Sequence, residues 1–219
     1  MGQEINLLNV YPKTKRDYDK RAAEKTADDV RIAKQFGQEF FDGDRKRGYG
    51  GYKYDGRWVE VVKRFIEHYQ LKPDAAILDI GCAKGFMLHD FKQLMPNCTV
   101  AGVDVSEYAI NHAMEDVKPF LKIASAEKLP YPDKSFDLVI SINSIHNLPP
   151  ERLKIALKEI TRVCRGHSYI TIDAWRNEQE KQDLYKWVLT AESMFHVDEW
   201  KKMFEEVGYN GDYYWFIAD

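Results

Sequence analysis

The stretch ILDIGCAKGF, residues 77–86, constrains the fold of this chain more than any other part of its 219 residues. Residues 77–80 predict a short buried strand, and the apolar positions from Phe86 onward predict a helix. Gly81 and Gly85 lie between the two elements, where the backbone has to turn sharply and leave room for a ligand, which residues without a Cβ allow. The first N–H groups of the helix are available to that ligand. The stretch therefore predicts a strand, a ligand-binding turn and a helix.

The glycine spacing separates several kinds of ligand-binding turn. A dinucleotide-binding turn has the pattern G-x-G-x-x-G, and Ala83 stands where its second glycine would be. The phosphate-binding pattern G-x-x-x-x-G-K-[ST] is absent as well. The observed G-x-x-x-G, with Asp79 two residues before Gly81, resembles motif I of the class I S-adenosylmethionine (SAM) dependent methyltransferases.

Segments downstream of the turn strengthen this resemblance. Residues 100–105 predict a second buried strand with Asp104 near its end, roughly 20 residues after the turn, where such folds place a carboxylate on the ribose hydroxyls. Residues 124–133 resemble the adenine-side loop of the family, and residues 135–141 resemble its fourth strand. The resemblance extends over residues 75–173 and implies SAM as cofactor, with S-adenosylhomocysteine as its product.

The order of predicted elements indicates the fold class. Strands alternate with helices, which predicts an α/β fold that is doubly wound and Rossmann-like, with a mainly parallel sheet and helices on both faces. Residues 1–56 are predicted to form a cap, with one helix over residues 19–41 and a glycine- and tyrosine-rich lid, and residues 57–219 form the SAM-binding domain. The family has two strands after the last helix, one of them antiparallel, whereas this sequence predicts one, at 211–217. Either a partner chain, as in a homodimer, covers that edge or the sheet is shorter.

Composition excludes several function classes. The net charge of −3 gives no reason to expect nucleic acid as a partner, because such proteins usually have a basic balance. Cys82, Cys98 and Cys164 are few and widely spaced, which argues against a disulfide framework and against a zinc site, and no other metal is expected. No apolar run has membrane-spanning length, and the first residues lack the apolar core of a signal peptide, so we expect a cytoplasmic protein.

The resemblance implies a role for each residue on the cofactor side. Asp79 meets the methionine half of SAM, directly or through water, or else it caps the turn. Asp104 takes the ribose hydroxyls, and Val105 flanks the adenine. Ser125 stands where the family often has an Asp, so the contact with the adenine amine is expected to be weaker, and Cys82 is interpreted as a small apolar filler. The cofactor-binding candidates are Asp79, Gly81, Cys82, Ala83, Gly85, Asp104, Val105, Ser125, Ala126, Glu127, Ser141 and Asn143.

The loop after the fourth strand is expected to face the methyl group. His146 is the catalytic candidate, because it is the one side chain of residues 141–149 that takes a proton near neutral pH. It acts either as a base or only as a group that orders the loop. A base is not obligatory, since transfer to an amine or an acidified hydroxyl needs mainly alignment and desolvation. Asp173, at the end of the fifth predicted strand, is a substrate-binding candidate.

The glycine- and tyrosine-rich segment, residues 43–57, interleaves basic and aromatic side chains. It forms either a lid over cofactor and substrate or a solvated loop. Guanidinium groups, glycine N–H groups and aromatic rings suit an anionic small molecule; the substrate candidates here are Tyr49, Tyr52, Tyr54 and Arg57.

The predicted function is SAM-dependent methyl transfer to a small polar metabolite, anionic or sugar-related, because the segment and the closing GDYYWFI resemble small bacterial methyltransferases, some of which accompany surface-sugar biosynthesis. The alternatives are an RNA or protein methyltransferase, and a SAM-binding partner protein without catalysis. The sequence does not distinguish O- from N-methylation.

Overall fold

Strands and helices alternate along the chain in the computed structural model, which describes residues 2–12 and 16–218. Within these residues the strands form one sheet in the order β3-β2-β1-β4-β5-β6, and β7 pairs with the same edge of β5 as β6. Every neighbouring pair is parallel, so the carboxyl ends of the strands meet at one edge of the sheet. The strands are β1 (Ala76–Ile80), β2 (Thr99–Asp104), β3 (Leu121–Ile123), β4 (Phe136–Ile142), β5 (Cys164–Trp175), β6 (Phe195–His196) and β7 (Asp212–Phe216).

Helices cover both faces of the sheet because successive strand residues point to opposite sides. Leu78 and Ile80 of β1 pack into a core with α7 and α9, and Ile77 packs into a second core with α4 and α5. The doubly wound, Rossmann-like prediction is therefore confirmed. No helix of the described residues is long and apolar enough to cross a bilayer. The helices are α1 (Tyr18–Glu24), α2 (Ala27–Ala33), α3 (Gln38–Phe41), α4 (Val59–Tyr69), α5 (Phe86–Leu94), α6 (Glu107–Asn111), α7 (Pro150–Val163), α8 (Glu178–Trp187) and α9 (Val197–Val207).

The edge of the sheet at β7 is covered by the chain's own first residues. Tyr213 donates its N–H to the carbonyl of Gln3 at 3.0 Å and accepts from the N–H of Ile5 at 2.9 Å. Leu7 then enters the core beside α4 and is only 1% exposed. Among the described residues, the structure has one strand after α9, as the sequence predicted, and residues 3–5 pair with it through an isolated bridge that the sequence did not predict.

The single helix predicted over residues 19–41 is wrong, because the segment forms three short helices. Lys25 has an extended backbone and ends α1, and Thr26 starts α2 by accepting a hydrogen bond from the N–H of Asp29. Phe36 has a left-handed φ of 49°, which no continuous helix accommodates, and Gly37 then starts α3. The apolar spacing suited a long helix, but the cap at Thr26 and the left-handed backbone of Phe36 divide the segment.

The ends of several elements have clear local causes. His196 is the N-cap of α9, and its side chain accepts from the N–H of Asp198. Helix α6 ends at Asn111, and β5 begins at Cys164 directly after α7. The two-residue strand β6 was not predicted, because two residues carry no periodic pattern.

Candidate active site

The turn between β1 and α5 lies at the carboxyl edge of the sheet. Gly81 has a left-handed φ of 79°, and a Cβ on it would lie 1.9 Å from Ser144 Oγ, so only glycine fits there. The N–H groups of Gly81 and Cys82 both donate to the carbonyl of Val103 in β2, at 2.8 and 3.1 Å. These bonds tie the turn to the end of the neighbouring strand and keep the space above both strand ends open to a ligand.

Asp79 is a buried carboxylate at the end of β1. It is 6% exposed, and no described residue donates a hydrogen bond to it. Burial, and second the charge of Asp104, raise the pKa of Asp79 to about 7. A buried carboxylate without a donor needs a partner of positive charge, and the ammonium group of SAM's methionine half is of that kind, so this position fits the cofactor that motif I implies.

Asp104, at the end of β2, receives one backbone hydrogen bond on each oxygen. Its Oδ2 accepts from the N–H of Ala83 and its Oδ1 from the N–H of Ser106, both at 2.8 Å. Burial raises the pKa of this carboxyl, and the hydrogen bonds oppose that shift. A carboxylate oxygen accepts more than one bond, so Asp104 both fixes the turn and retains acceptor capacity for a diol.

The part of the site that the sequence predicted for the adenine has exposed apolar residues at adjacent strand ends. Val105 follows β2 and is 54% exposed, and Ile123 ends β3 and is 56% exposed. Ser125 donates its hydroxyl proton to Glu127 at 2.8 Å, which leaves lone pairs on its oxygen to accept from an amine. Glu127 is itself held by Arg152 at 2.7 Å, and the N–H of Glu127 donates to Ser125 Oγ at 3.3 Å. Ala126 lies between them and is half-buried, so this loop is ordered by its own side chains.

Two residues at the end of β4 show features typical of a functional site. Ser141 is fully buried, and its Oγ has no hydrogen-bond partner among the described residues. Asn143 has a left-handed φ of 49°, and its N–H donates to the carbonyl of Thr171 at 3.0 Å. Residues in sparsely populated backbone regions cluster at ligand-binding positions.

His146 lies in a 3₁₀ turn after β4, is 5% exposed, and is held from β5. Its Nδ1 accepts the N–H of Asp173 at 3.0 Å, and the Asp173 carboxylate is 3.6 Å away. Burial lowers the pKa of His146, against the effect of Asp173. A neutral ring whose Nδ1 accepts carries its proton on Nε2. In this geometry the ring offers its Nε2–H as a hydrogen-bond donor. Neither ring nitrogen is free to take a proton, because Nδ1 already accepts a hydrogen bond and Nε2 already carries a proton.

Asp42 ties the cap to the turn after β1. Its Oδ2 accepts from Lys84 Nζ at 2.6 Å and from the hydroxyl of Tyr108 at 2.7 Å, and its Oδ1 accepts from the N–H of Tyr52 at 3.0 Å. Lys84 also donates to the carbonyl of Tyr52 at 3.0 Å. One carboxylate therefore joins the cap, the turn and α6.

The aromatic residues of the cap lie over the start of α5. Tyr52 stacks on Phe86 with ring centroids 4.7 Å apart, and Tyr49 is 4.5 Å from Tyr52. Together with Arg57 they help to line a cavity of about 120 Å³, less than the 300–1,000 Å³ typical of small-molecule sites. None of the residues predicted to bind the cofactor lines this cavity.

Tyr54 and Arg57, both predicted substrate residues, form hydrogen bonds with carboxylates of the protein. The hydroxyl of Tyr54 donates to Asp90 at 2.5 Å, and Asp90 is a buried residue of α5. Arg57 Nε donates to Asp55 at 2.8 Å, and its guanidinium lies over the ring of Tyr11. Cys82 is buried, and burial raises the pKa of its thiol well above the usual value, which keeps it protonated.

Sequence reasoning missed several residues that the structure brings to this edge. Ile123 had a usable signal, since it is an apolar residue at the end of a predicted strand. Asp42, Lys84 and Tyr108 had none, because their contact depends on how the cap folds back over the turn.

Comparison with known proteins supports a methyltransferase domain. Residues 77–167 match the family model described as "Methyltransferase domain". A tRNA (carboxymethyluridine(34)-5-O)-methyltransferase of Arabidopsis thaliana is 35% identical over 66% of this chain and 34% of its own length. A demethylmenaquinone methyltransferase of Symbiobacterium thermophilum is 30% identical over 54% of this chain and 50% of its own. The chain thus spans half or less of these two relatives.

A similar fold is found in a solved complex from Haloferax volcanii that contains the Trm112 methyltransferase activator and a methyltransferase. The match has a TM-score of 0.57 and 15% identity, and it covers 90% of this chain and 77% of the other. Identity this low shows the fold alone. The Arabidopsis relative is named for a tRNA substrate, and the Symbiobacterium relative is named for a small molecule, demethylmenaquinone. The comparisons therefore leave the substrate class of this chain open.

Proposed function

We propose that this chain, which carries a class I methyltransferase domain, transfers a methyl group from SAM to a small molecule with an anionic acceptor. The observation that carries the proposal is the pair of carboxylates, Asp79 and Asp104, at adjacent strand ends beside the Gly81 turn. The first lacks any donor among the described residues, and the second retains acceptor capacity. SAM supplies an electrophilic methyl group when it is bound.

The residues of the site divide the cofactor between them. Asp79 binds the ammonium of the methionine half, and Asp104 binds the ribose hydroxyls. Val105 and Ile123 provide the apolar surfaces for the adenine, which explains their exposure in this structure. Ser125 accepts from the adenine amine, because its own proton is given to Glu127.

The position of His146 favours an acceptor that needs no proton removed. Its Nδ1 is occupied by the N–H of Asp173, so the ring serves as a donor that orients the acceptor. A carboxylate or phosphate oxygen is already deprotonated at neutral pH, and alignment with desolvation is then sufficient for transfer. A neutral sugar hydroxyl would require a base, and His146 does not act as one in this geometry. A sugar-linked acid remains within the proposed class.

Residues 43–57 serve as the lid of this site. The segment lies over the turn through Tyr52 and Phe86, and Asp42 anchors it at one end.

A substrate screen by mass spectrometry tests the proposal. The protein is incubated with SAM and a pool of metabolites, and both S-adenosylhomocysteine release and the gain of one methyl group on an acid are measured. Release of S-adenosylhomocysteine without a methylated acid would contradict an anionic acceptor. Binding of SAM without any release of S-adenosylhomocysteine would favour a non-catalytic partner protein.

An RNA methyltransferase is the second candidate, because one relative of 35% identity is named for a tRNA substrate. A parallel incubation with a tRNA pool distinguishes it. Methylated nucleosides after digestion, with no methylated small acid, would replace the small-molecule proposal.

A further inference from the structure

Three guanidinium groups surround one indole ring at the end of α8. The Cζ atoms of Arg16, Arg21 and Arg45 lie 5.4, 5.6 and 5.7 Å from the Trp187 ring centroid. They come from different parts of the cap, since Arg16 precedes α1, Arg21 lies within it, and Arg45 lies in the lid. The face of an aromatic ring attracts cations, so the Trp187 ring holds these three positive charges close together.

Two guanidinium groups of this cluster, those of Arg21 and Arg45, are held by backbone carbonyls. Arg21 donates to the carbonyl of Arg45 at 3.0 Å, and Arg45 donates to the carbonyl of Gly48. Neither guanidinium forms an ion pair with a described carboxylate, and the buried Nε of Arg21 has no hydrogen-bond partner there. The nearest acids, Asp29 and Glu24, act on Arg21 only through space. Burial, and next the charge of Arg45, lower the pKa of Arg21.

A fourth cation adds to the excess of positive charge. Lys25 donates to the carbonyls of Tyr185, Lys186 and Val188 at the end of α8. Burial and the charge of Arg21 lower its pKa as well. The protein therefore holds several cations together at a cost that an anion would relieve.

The cluster lies near Asp173, one of the substrate candidates. The guanidinium of Arg16 is 4.4 Å from the ring centroid of Phe216, the residue of β7 that pairs with Asp173, and its charge opposes the rise in the pKa of Asp173 that burial causes. Arg45 lies in the lid itself, and its charge opposes the rise in the pKa of Tyr49 that burial causes. The cluster therefore joins the lid to the strand that pairs with β5 beside Asp173.

We propose that Arg21 and Arg45 bind an oxyanion of the methyl acceptor, a carboxylate or a phosphate, and this inference rests on the function proposed above. Planar guanidinium groups match the paired oxygens of both anions and bind them through two hydrogen bonds. Arg21 belongs to a helix and Arg45 to the lid, so the subsite is complete only when the lid lies against α1. Acceptor binding and lid closure are therefore coupled.

Calorimetric titration without cofactor tests the subsite, with inorganic phosphate and citrate as separate probes at low ionic strength. We expect the wild-type protein to bind at least one probe, and Arg21→Gln and Arg45→Gln each to bind it at least about tenfold more weakly, since one charged hydrogen bond is lost. Arg31→Gln is the matched control, because Arg31 is exposed and pairs with Asp28. The probe that binds more tightly identifies a carboxylate or a phosphate as the ligand.

Several results would overturn the inference. They are an absence of binding by the wild-type protein, equal affinity in the Arg45→Gln and Arg31→Gln variants, or tighter binding of an RNA oligonucleotide than of either probe. Arg45 is exposed, so its variant remains informative if Arg21→Gln does not fold. Titration of the same variants with S-adenosylhomocysteine separates the two proposals. If the wild-type protein does not bind S-adenosylhomocysteine, the proposed cofactor site is refuted. If it binds S-adenosylhomocysteine but neither anion, only the proposed anion subsite is refuted.

Discussion

Replacing Asp79 by Asn is expected to stabilise the protein and to weaken cofactor binding at the same time. The carboxyl is 6% exposed and has no donor among the described residues, and its pKa is raised from 3.8 to about 7. Each tenfold change in the acid dissociation constant corresponds to about 1.4 kcal/mol, so the ionised carboxyl destabilises the fold by about 4 kcal/mol at pH 8. An amide of the same shape removes this penalty.

The pH dependence of the stabilisation follows from the direction of the pKa shift. As the pH falls through about 7, the folded protein takes up a proton at Asp79, whereas the unfolded chain stays ionised until about pH 4. The folded state binds more protons between these values, so the penalty shrinks as the pH falls. The advantage of Asp79→Asn is expected to decrease from about 4 kcal/mol at pH 8 to about 2 kcal/mol at pH 5.

Urea unfolding at the two pH values measures the stability, and calorimetry with S-adenosylhomocysteine measures binding. The affinity is expected to fall about ten- to hundredfold, because the ammonium loses a charged acceptor. Asp74→Asn, at an exposed position in the turn before β1, is the control and should change neither quantity. A variant less stable than the wild type at pH 8 would refute the electrostatic reasoning, and unchanged affinity would refute the assignment to the ammonium.

Three further predictions concern the remaining parts of the site. Asp104→Ala should weaken S-adenosylhomocysteine binding by about 1–3 kcal/mol in calorimetry, with Asp104→Asn in between, and unchanged affinity would remove the ribose assignment. His146→Asn should keep near-normal turnover in a methyl-transfer assay, because a donor is retained, whereas a loss of about 10²–10⁴-fold would show that His146 is a base. Asp42→Ala should increase hydrogen exchange in residues 43–57, because Lys84 and Tyr52 lose their shared anchor; protection equal to the wild type would contradict its role in holding the lid.

Much of the fold followed from the sequence because strand-turn-helix patterns are local. β1, β4 and α5 lie where their apolar patterns predicted, and the Gly81 turn has the left-handed backbone that its glycine indicates. The covered edge of the sheet did not follow, since residues 3–5 carry no strand pattern and pair with a strand about 210 positions away. The N-terminal helix was wrong because the capping interaction of Thr26 outweighs a favourable apolar spacing.

The candidate site also has one part that the sequence predicted and one part that it did not. The residues predicted to bind the cofactor are consecutive or lie at strand ends, so a motif predicts them. The proposed anion subsite depends on contacts between segments remote in sequence, such as Arg21 with Arg45 and Lys25 with the end of α8. Charge runs in the sequence predicted basic residues near the lid, but the grouping of these arginines around Trp187 required the folded cap.

Pairing of residues 3–5 with Tyr213 also sets the timing of folding during synthesis. Translation at about 5–20 residues per second leaves the first segment waiting roughly 10–40 s before β7 leaves the ribosome. During that interval the N–H of Ile5 and the carbonyl of Gln3 lack their partner, Tyr213. Closure of this edge of the sheet is therefore a late step of folding.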